Sequence, residues 1–127
     1  MGSIDLNCDL GEGARHDAEL MPLITSANIA CGAHAGDEAT MRATVALAQR
    51  HGVAIGAHPG FADRENFGRR ERTILPAEAG ALVLEQIRKL QGIAALAGAS
   101  VNHVKLHGAL YHMASRDRDL ALAVAGE

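Results

Sequence analysis

The chain has 127 residues, 48% of them hydrophobic and 21% charged, with a net charge of -3. That supports one packed domain, is too short for two, and argues against intrinsic disorder. With no basic run and only 2% aromatics, nucleic acid and anionic membranes are poor partners.

No apolar stretch approaches the roughly 20 residues that span a bilayer, and the N-terminal MGSIDLNCDL has no basic region ahead of an apolar one. The expectation is a cytoplasmic protein without membrane contact. Cys8 and Cys31 are too few for a disulfide framework and lack a Cys-x-x-Cys spacing.

In chain order, the first predicted strand is Ile4–Asp9. A less regular segment, Gly11–Thr25, holds a short helix around Ala18–Leu23. The second strand is Ala27–Gly32. Asp37 then caps a helix whose apolar residues Met41, Val45 and Ala48 recur at helical spacing, with Gly52 past its end. The third strand is Val53–Ala57. Pro59–Leu75 is long for a βα loop, where 2–6 residues is usual. A long helix follows Pro76, with Val83, Ile87, Leu90, Ala94 and Ala97 on one face and Gly98 near its stop. The fourth strand is Val101–His107, and Asp117 starts a helix over Asp119–Ala125. Strands alternating with helices predict a parallel sheet in the order 1-2-3-4. Such units make half of an eight-fold barrel or a small open sheet. The 127 residues are expected to form a single incomplete domain, inactive as a monomer and prone to self-association through its bare edges.

Side-chain parity separates two faces. Ile4, Leu6, Cys8, Ile29, Cys31, Val53, Ile55, Ala57, Val104 and Leu106 share the apolar side, suited to helices. Asp5, Asn7, Asp9, Asn28, His34, His58, His103, Lys105 and His107 share the other, among the small residues Ala30, Gly32, Ala54 and Gly56. A sheet covered by helices on both faces reads apolar throughout, so a barrel interior used as a ligand cavity fits better. Asp9, His34, His58 and His107 fall at strand C-terminal ends, where parallel α/β proteins place their chemistry. His103 lies deeper and reads as structural, while His16 and His51 read as solvated surface. The two cysteines read as small buried residues.

Imidazoles beside a carboxylate suit a divalent transition metal with an open position for water. They equally suit metal-free general acid–base work. Lys105 either neutralises an anionic substrate group or forms a salt bridge to Asp5 or Asp9. In the long loop, Arg69 and Arg70 either recognise a carboxylate or phosphate or belong to a solvated charged segment with Asp63, Arg64 and Glu65. No Walker or Rossmann spacing is present.

The motifs DLNCDLGEG (5–13), TSANIACGAHAGD (25–37), IGAHPG (55–60), FGRR (67–70) and VKLHGALY (104–111) closely resemble the LamB/YcsF family, whose members are known as the A subunit of bacterial 5-oxoprolinase. The resemblance spans the chain but only about the N-terminal half of a family member. It implies a partial (β/α) barrel of the glycoside hydrolase/deacetylase type, with about four parallel βα units in a single domain over residues 1–127. It implies ATP-dependent opening of 5-oxoproline to L-glutamate together with the B and C subunits of 5-oxoprolinase. ATP is then used through the complex, and a divalent metal is an option.

Carried onto matching positions, the expected catalytic residues are Asp9, Glu12, His58, Lys105 and His107. Expected substrate-binding residues are Asn7, Asn28, Asp37, Arg69, Arg70 and Tyr111, and the expected metal set is Asp9, His34 and His58. Ala33, Leu106 and His112 depart from the family pattern. Ala33 and Leu106 are expected to alter packing more than chemistry. The alternatives are a metal-dependent deacetylase-like hydrolase and a non-catalytic substrate-binding subunit.

Overall fold

The computed structural model describes residues 4–13 and 15–126. Residues 1–3, the start of the N-terminal segment read above, lie outside the described residues. The elements are β1 (Asn7–Leu10), α1 (Asp17–Leu20) running into a 3-10 turn at Met21–Leu23, β2 (Ser26–Ala30), α2 (Glu38–Arg50), β3 (Ala54–His58), α3 (Pro76–Leu96), β4 (Val101–Val104), α4 (Gly108–Arg116) and α5 (Arg118–Ala125). The sheet is parallel throughout, in the expected order β1-β2-β3-β4.

The helix boundaries follow local chemistry. Asp37 accepts a hydrogen bond from the Thr40 amide at 2.7 Å and so starts α2. Pro76 opens α3, and the Glu78 carboxylate returns to the Leu75 amide at 3.1 Å. Asp117 caps α5 by accepting from the Leu120 amide at 3.2 Å.

The core lies between one face of the sheet and the helices. Ala27, Ile29, Ile55 and Ala57 meet Met41, Val45 and Ala48 of α2 and Val83, Ile87, Leu90 and Ala94 of α3. Cys31 is buried on this same side, and burial pushes its thiol up to about 11, so it is an inert packing residue. β1 and β4 form the sheet edges among the described residues, with Leu6 and Val104 exposed beside them.

Three expectations change. β1 begins at Asn7, not Ile4, because Leu6 instead bonds to the Thr25 loop. β4 ends at Val104, after a register shift opposite Ile55 and Gly56. Beyond it the Lys105 and His107 amides still donate to the carbonyls of Ala57 (2.8 Å) and Pro59 (2.9 Å), so the alternation that carries their side chains persists. Helix α4 is an addition: the predicted strand runs to His107 and no element is expected over 108–116, yet Gly108 starts a helix that buries Ala109 and Leu110.

The polar face is organised by one row of paired positions, Asp9, Asn28, Gly56 and His103. A Cβ on Gly56 would lie 2.0 Å from His103 Nε2, so only glycine lets that ring cross β3. The ring reaches Asn28 Oδ1 at 2.8 Å.

α3 also anchors the long loop. Gln86 is buried on its apolar stripe, accepts from the Gly60 amide at 3.1 Å and donates to the Gly60 carbonyl at 2.8 Å. Gln86→Met keeps the volume but strands both backbone groups. The expected cost is about 2 kcal/mol in urea unfolding; an unchanged midpoint would show that the clamp carries no stability.

Candidate active site

Asp9 stands at the end of β1 on the polar face. Asn28 Nδ2 donates to Asp9 Oδ1 at 3.1 Å and to Asn7 Oδ1 at 3.0 Å, while the Asn28 carbonyl oxygen accepts from His103. Both Asn28 side-chain donors and its amide oxygen therefore hold neighbouring side chains in place. Lys105 Nζ donates to both Asp9 oxygens, at 3.0 and 3.2 Å. Burial alone raises the Asp9 carboxyl, but Lys105, the His58 charge and the Asn28 amide outweigh it and hold the group below its usual value. Asp9 is thus an ionised acceptor at neutral pH.

Next to it, three imidazoles and Glu12 converge. Glu12 Oε2 lies 2.6 Å from His34 Nε2, 3.5 Å from His58 Nε2 and 3.4 Å from His107 Nδ1. His58 Nε2 is 3.1 Å from His107 Nδ1 and 3.4 Å from Asp9 Oδ2. The His34 and His107 rings stack at 3.7 Å, and all three histidines are buried. One donor atom from each of Glu12, His34, His58 and His107 lies within 4.8 Å of the others. Asp9 is outside that set, in contrast to the expected group of Asp9, His34 and His58: its oxygens are held by Lys105 and Asn28.

Backbone carbonyls orient two of the rings. His58 Nδ1 meets the Lys105 carbonyl at 2.7 Å, and His107 Nε2 meets the Phe67 carbonyl at 2.6 Å. A carbonyl only accepts, so each of these ring nitrogens carries hydrogen. Phe67 adopts a left-handed conformation at φ 55, which aims its carbonyl at His107. That conformation costs about 1–3 kcal/mol in a non-glycine residue. Gly68 follows at φ 66, and a Cβ there would press to 2.7 Å of His34 Cβ. The Phe67 ring packs edge-on against His34 and His107.

Burial lowers the His58 imidazole, against the opposing pull of Asp9, the Lys105 carbonyl and Glu12. Burial likewise lowers His107, against the Phe67 carbonyl. Both groups bind protons more weakly folded than unfolded. Their stabilising contribution is complete above the unfolded histidine value of about 6.5 and is lost as pH falls toward the lowered folded values. In chelator-treated buffer the melting temperature is expected to fall from pH 7.5 to 5.5. A rise over that window would contradict neutral buried imidazoles.

Asp9, His58, Arg69, Lys105, His107 and Tyr111 line a cleft of about 490 Å³. Arg69 also stacks over the Phe67 ring, its guanidinium carbon 5.2 Å from the centroid. The other expected binding residues lie elsewhere. Asp37 uses its carboxylate to cap α2 and borders a separate depression with Glu12 and His34. Arg70 is exposed and does not line the cleft. Asn7 is exposed at the start of β1, accepting from Asn28. Asp5 bonds Thr25 and Ser26, leaving Asp9 as the partner of Lys105.

The sequence reading missed Gln86, whose polar side chain on an apolar helical stripe was the available signal, and the two orienting carbonyls, which no side-chain pattern encodes.

The LamB/YcsF family profile matches residues 4–127. The chain belongs to the LamB/YcsF family. It is 53% identical over 127 residues to the 5-oxoprolinase A subunit of Staphylococcus carnosus (strain TM300), covering 96% of this chain and 50% of the relative. It is 54% identical to the 5-oxoprolinase A subunit of Bordetella pertussis (strain Tohama I), with 96% and 50% coverage. The crystal structure of a lactam utilization protein from Thermus thermophilus superposes with a TM-score of 0.95 at 48% identity, covering 98% of this chain and 52% of that one. This LamB/YcsF chain thus spans about half the length of the relatives it matches. No helix among the described residues is long and apolar enough to cross a membrane.

Proposed function

We propose that this LamB/YcsF chain works as the A subunit of a 5-oxoprolinase, opening 5-oxoproline to L-glutamate at the expense of ATP, together with the B and C subunits. The observation that carries this reading is the cleft in which an ionised Asp9 pairs with Lys105 beside Arg69. The substrate has one carboxylate and one lactam carbonyl. Arg69 suits the carboxylate. Lys105 suits negative charge developing at the carbonyl or on a transferred phosphoryl group.

A lactam carbonyl is a poor electrophile, and phosphorylating its oxygen makes a leaving group. Transfer from ATP gives ADP and the O-phosphorylated ring. Water then adds to the ring carbon while Asp9 takes its proton. The C–N bond breaks, the proton goes to the departing ring nitrogen, and an acyl phosphate remains. A second water releases phosphate and leaves glutamate. Asp9 serves as base and then as acid, and phosphorylation belongs to the complex.

The test is a hybrid in which this chain replaces the matching half of the Staphylococcus carnosus A subunit, with turnover measured in the presence of that organism's B and C subunits. Glutamate formation that requires ATP supports the reading. A hybrid that folds cooperatively yet leaves 5-oxoproline untouched, while the parent complex turns it over, contradicts it. The cluster of Glu12, His34, His58 and His107 favours a second reading, a metal-dependent hydrolase of the deacetylase kind. That reading predicts hydrolysis of an N-acetyl substrate without ATP.

A further inference from the structure

We propose that Glu12 Oε2, His34 Nε2, His58 Nε2 and His107 Nδ1 form a binding site for one divalent transition-metal ion, oriented by the carbonyls of Lys105 and Phe67, with Asp9 beside the ion but not a ligand. The argument begins with hydrogens. His58 donates through Nδ1 to Lys105, and His107 donates through Nε2 to Phe67. In their neutral forms, the remaining nitrogens, His58 Nε2 and His107 Nδ1, each carry a lone pair. These two atoms face each other at 3.1 Å, with no hydrogen between them to share. Glu12 adds an oxygen at 3.5 and 3.4 Å from the same two atoms. Three electron-pair donors this close together repel unless a cation lies between them.

The spacing fits such an ion. Bonds of about 2.0–2.1 Å in a tetrahedral arrangement place ligand atoms about 3.3 Å apart. The three donor separations just given fall around that value. A carbonyl accepting the far N–H of a ligating imidazole is the usual device that fixes tautomer and ring direction. Phe67 holds its left-handed conformation at this carbonyl. His34 Nε2 now bonds Glu12 at 2.6 Å and would exchange that bond for the ion, while its buried Nδ1 has no hydrogen-bond partner.

Charge agrees. Lys105 balances Asp9, so three neutral imidazoles and Glu12 leave one formal negative charge in a buried cluster. Three nitrogens with one oxygen select zinc, cobalt or nickel over magnesium or calcium, which prefer oxygen ligands alone.

The site adjoins the cleft assigned above to 5-oxoproline. Its test uses no substrate and no partner, so the two readings fail separately. The chain is stripped with chelator and titrated calorimetrically with Zn(II), Co(II) and Mg(II). One Zn(II) or Co(II) per chain is expected, tighter than ~1 μM, with visible Co(II) absorption and no Mg(II) binding at millimolar concentration. Glu12→Gln, which keeps shape, and His107→Ala are each expected to weaken Zn(II) binding by about 100-fold or more, above the 10–100-fold typical of outer partners. Asp9→Asn is expected to weaken it less than either ligand substitution does, since Asp9 touches the ligand His58 and not the ion. Circular dichroism confirms that each variant is folded. Stoichiometric binding absent from the folded wild-type chain, Zn(II) affinity unchanged in folded Glu12→Gln, or a loss in Asp9→Asn as large as that in Glu12→Gln would each overturn the assignment.

Discussion

Asp9→Asn in the hybrid A subunit is expected to lower ATP-dependent glutamate formation by about 100-fold or more, the scale set by losing a positioned acid–base group. The substitution keeps the shape of the side chain and its bond from Asn28, while an amide neither takes a proton from water nor balances Lys105. The loss belongs in kcat, because the proton moves only in the reaction. Melting temperature shifts little by comparison, since the Lys105–Asp9 pair is partly exposed on both sides. A variant that retains more than half of its kcat would remove Asp9 from the chemistry. A fall confined to KM would turn it into a binding residue.

Gly56→Ala is expected to cost about 3 kcal/mol of stability, the upper part of the range for an overpacked interior. The new methyl group would lie 2.0, 2.2 and 2.5 Å from three atoms of the His103 ring. Neither backbone can retreat within a paired sheet, so the ring leaves the row. Asn28 Oδ1 then loses its donor, and Asn28 is the group that holds Asp9. His103→Ala alone loses one hydrogen bond, worth about 1 kcal/mol. The double variant is expected to be more stable than Gly56→Ala alone, because the clash has gone. This sign of the coupling separates a steric origin from a general weakening of β3. Additive losses in the double variant would refute the close approach.

The alternation of the strands made much of this legible in advance. Asp9, His58, Lys105 and His107 were placed on one face because parity is conserved along a strand, and the backbone pairing of Lys105 and His107 extends that parity past the end of β4. Cys8 and Cys31 read outward for the same reason. Other features resist such reading. Asp37 carries two expectations, the cap of α2 and substrate binding; the cap is formed with the Thr40 amide, while the residue borders a depression apart from the cleft of Asp9 and Lys105. The start of α4 was hidden because Val104–Leu106 has strand composition, and only tertiary packing of Ala109 and Leu110 settles the matter. The convergence of Glu12 with three histidines depends on a turn after β1 and on loop carbonyls, neither of which has a periodic signature.

The two readings of the cleft differ in what they ask of ATP. The most direct measurement follows ADP and glutamate together in the complex of the hybrid with its B and C partners. The account predicts that each glutamate appears with one ADP, only when 5-oxoproline and ATP are both present, and that Asp9→Asn stops both. Release of acetate from an N-acetyl substrate without ATP, with 5-oxoproline left intact by the same folded hybrid, would contradict it.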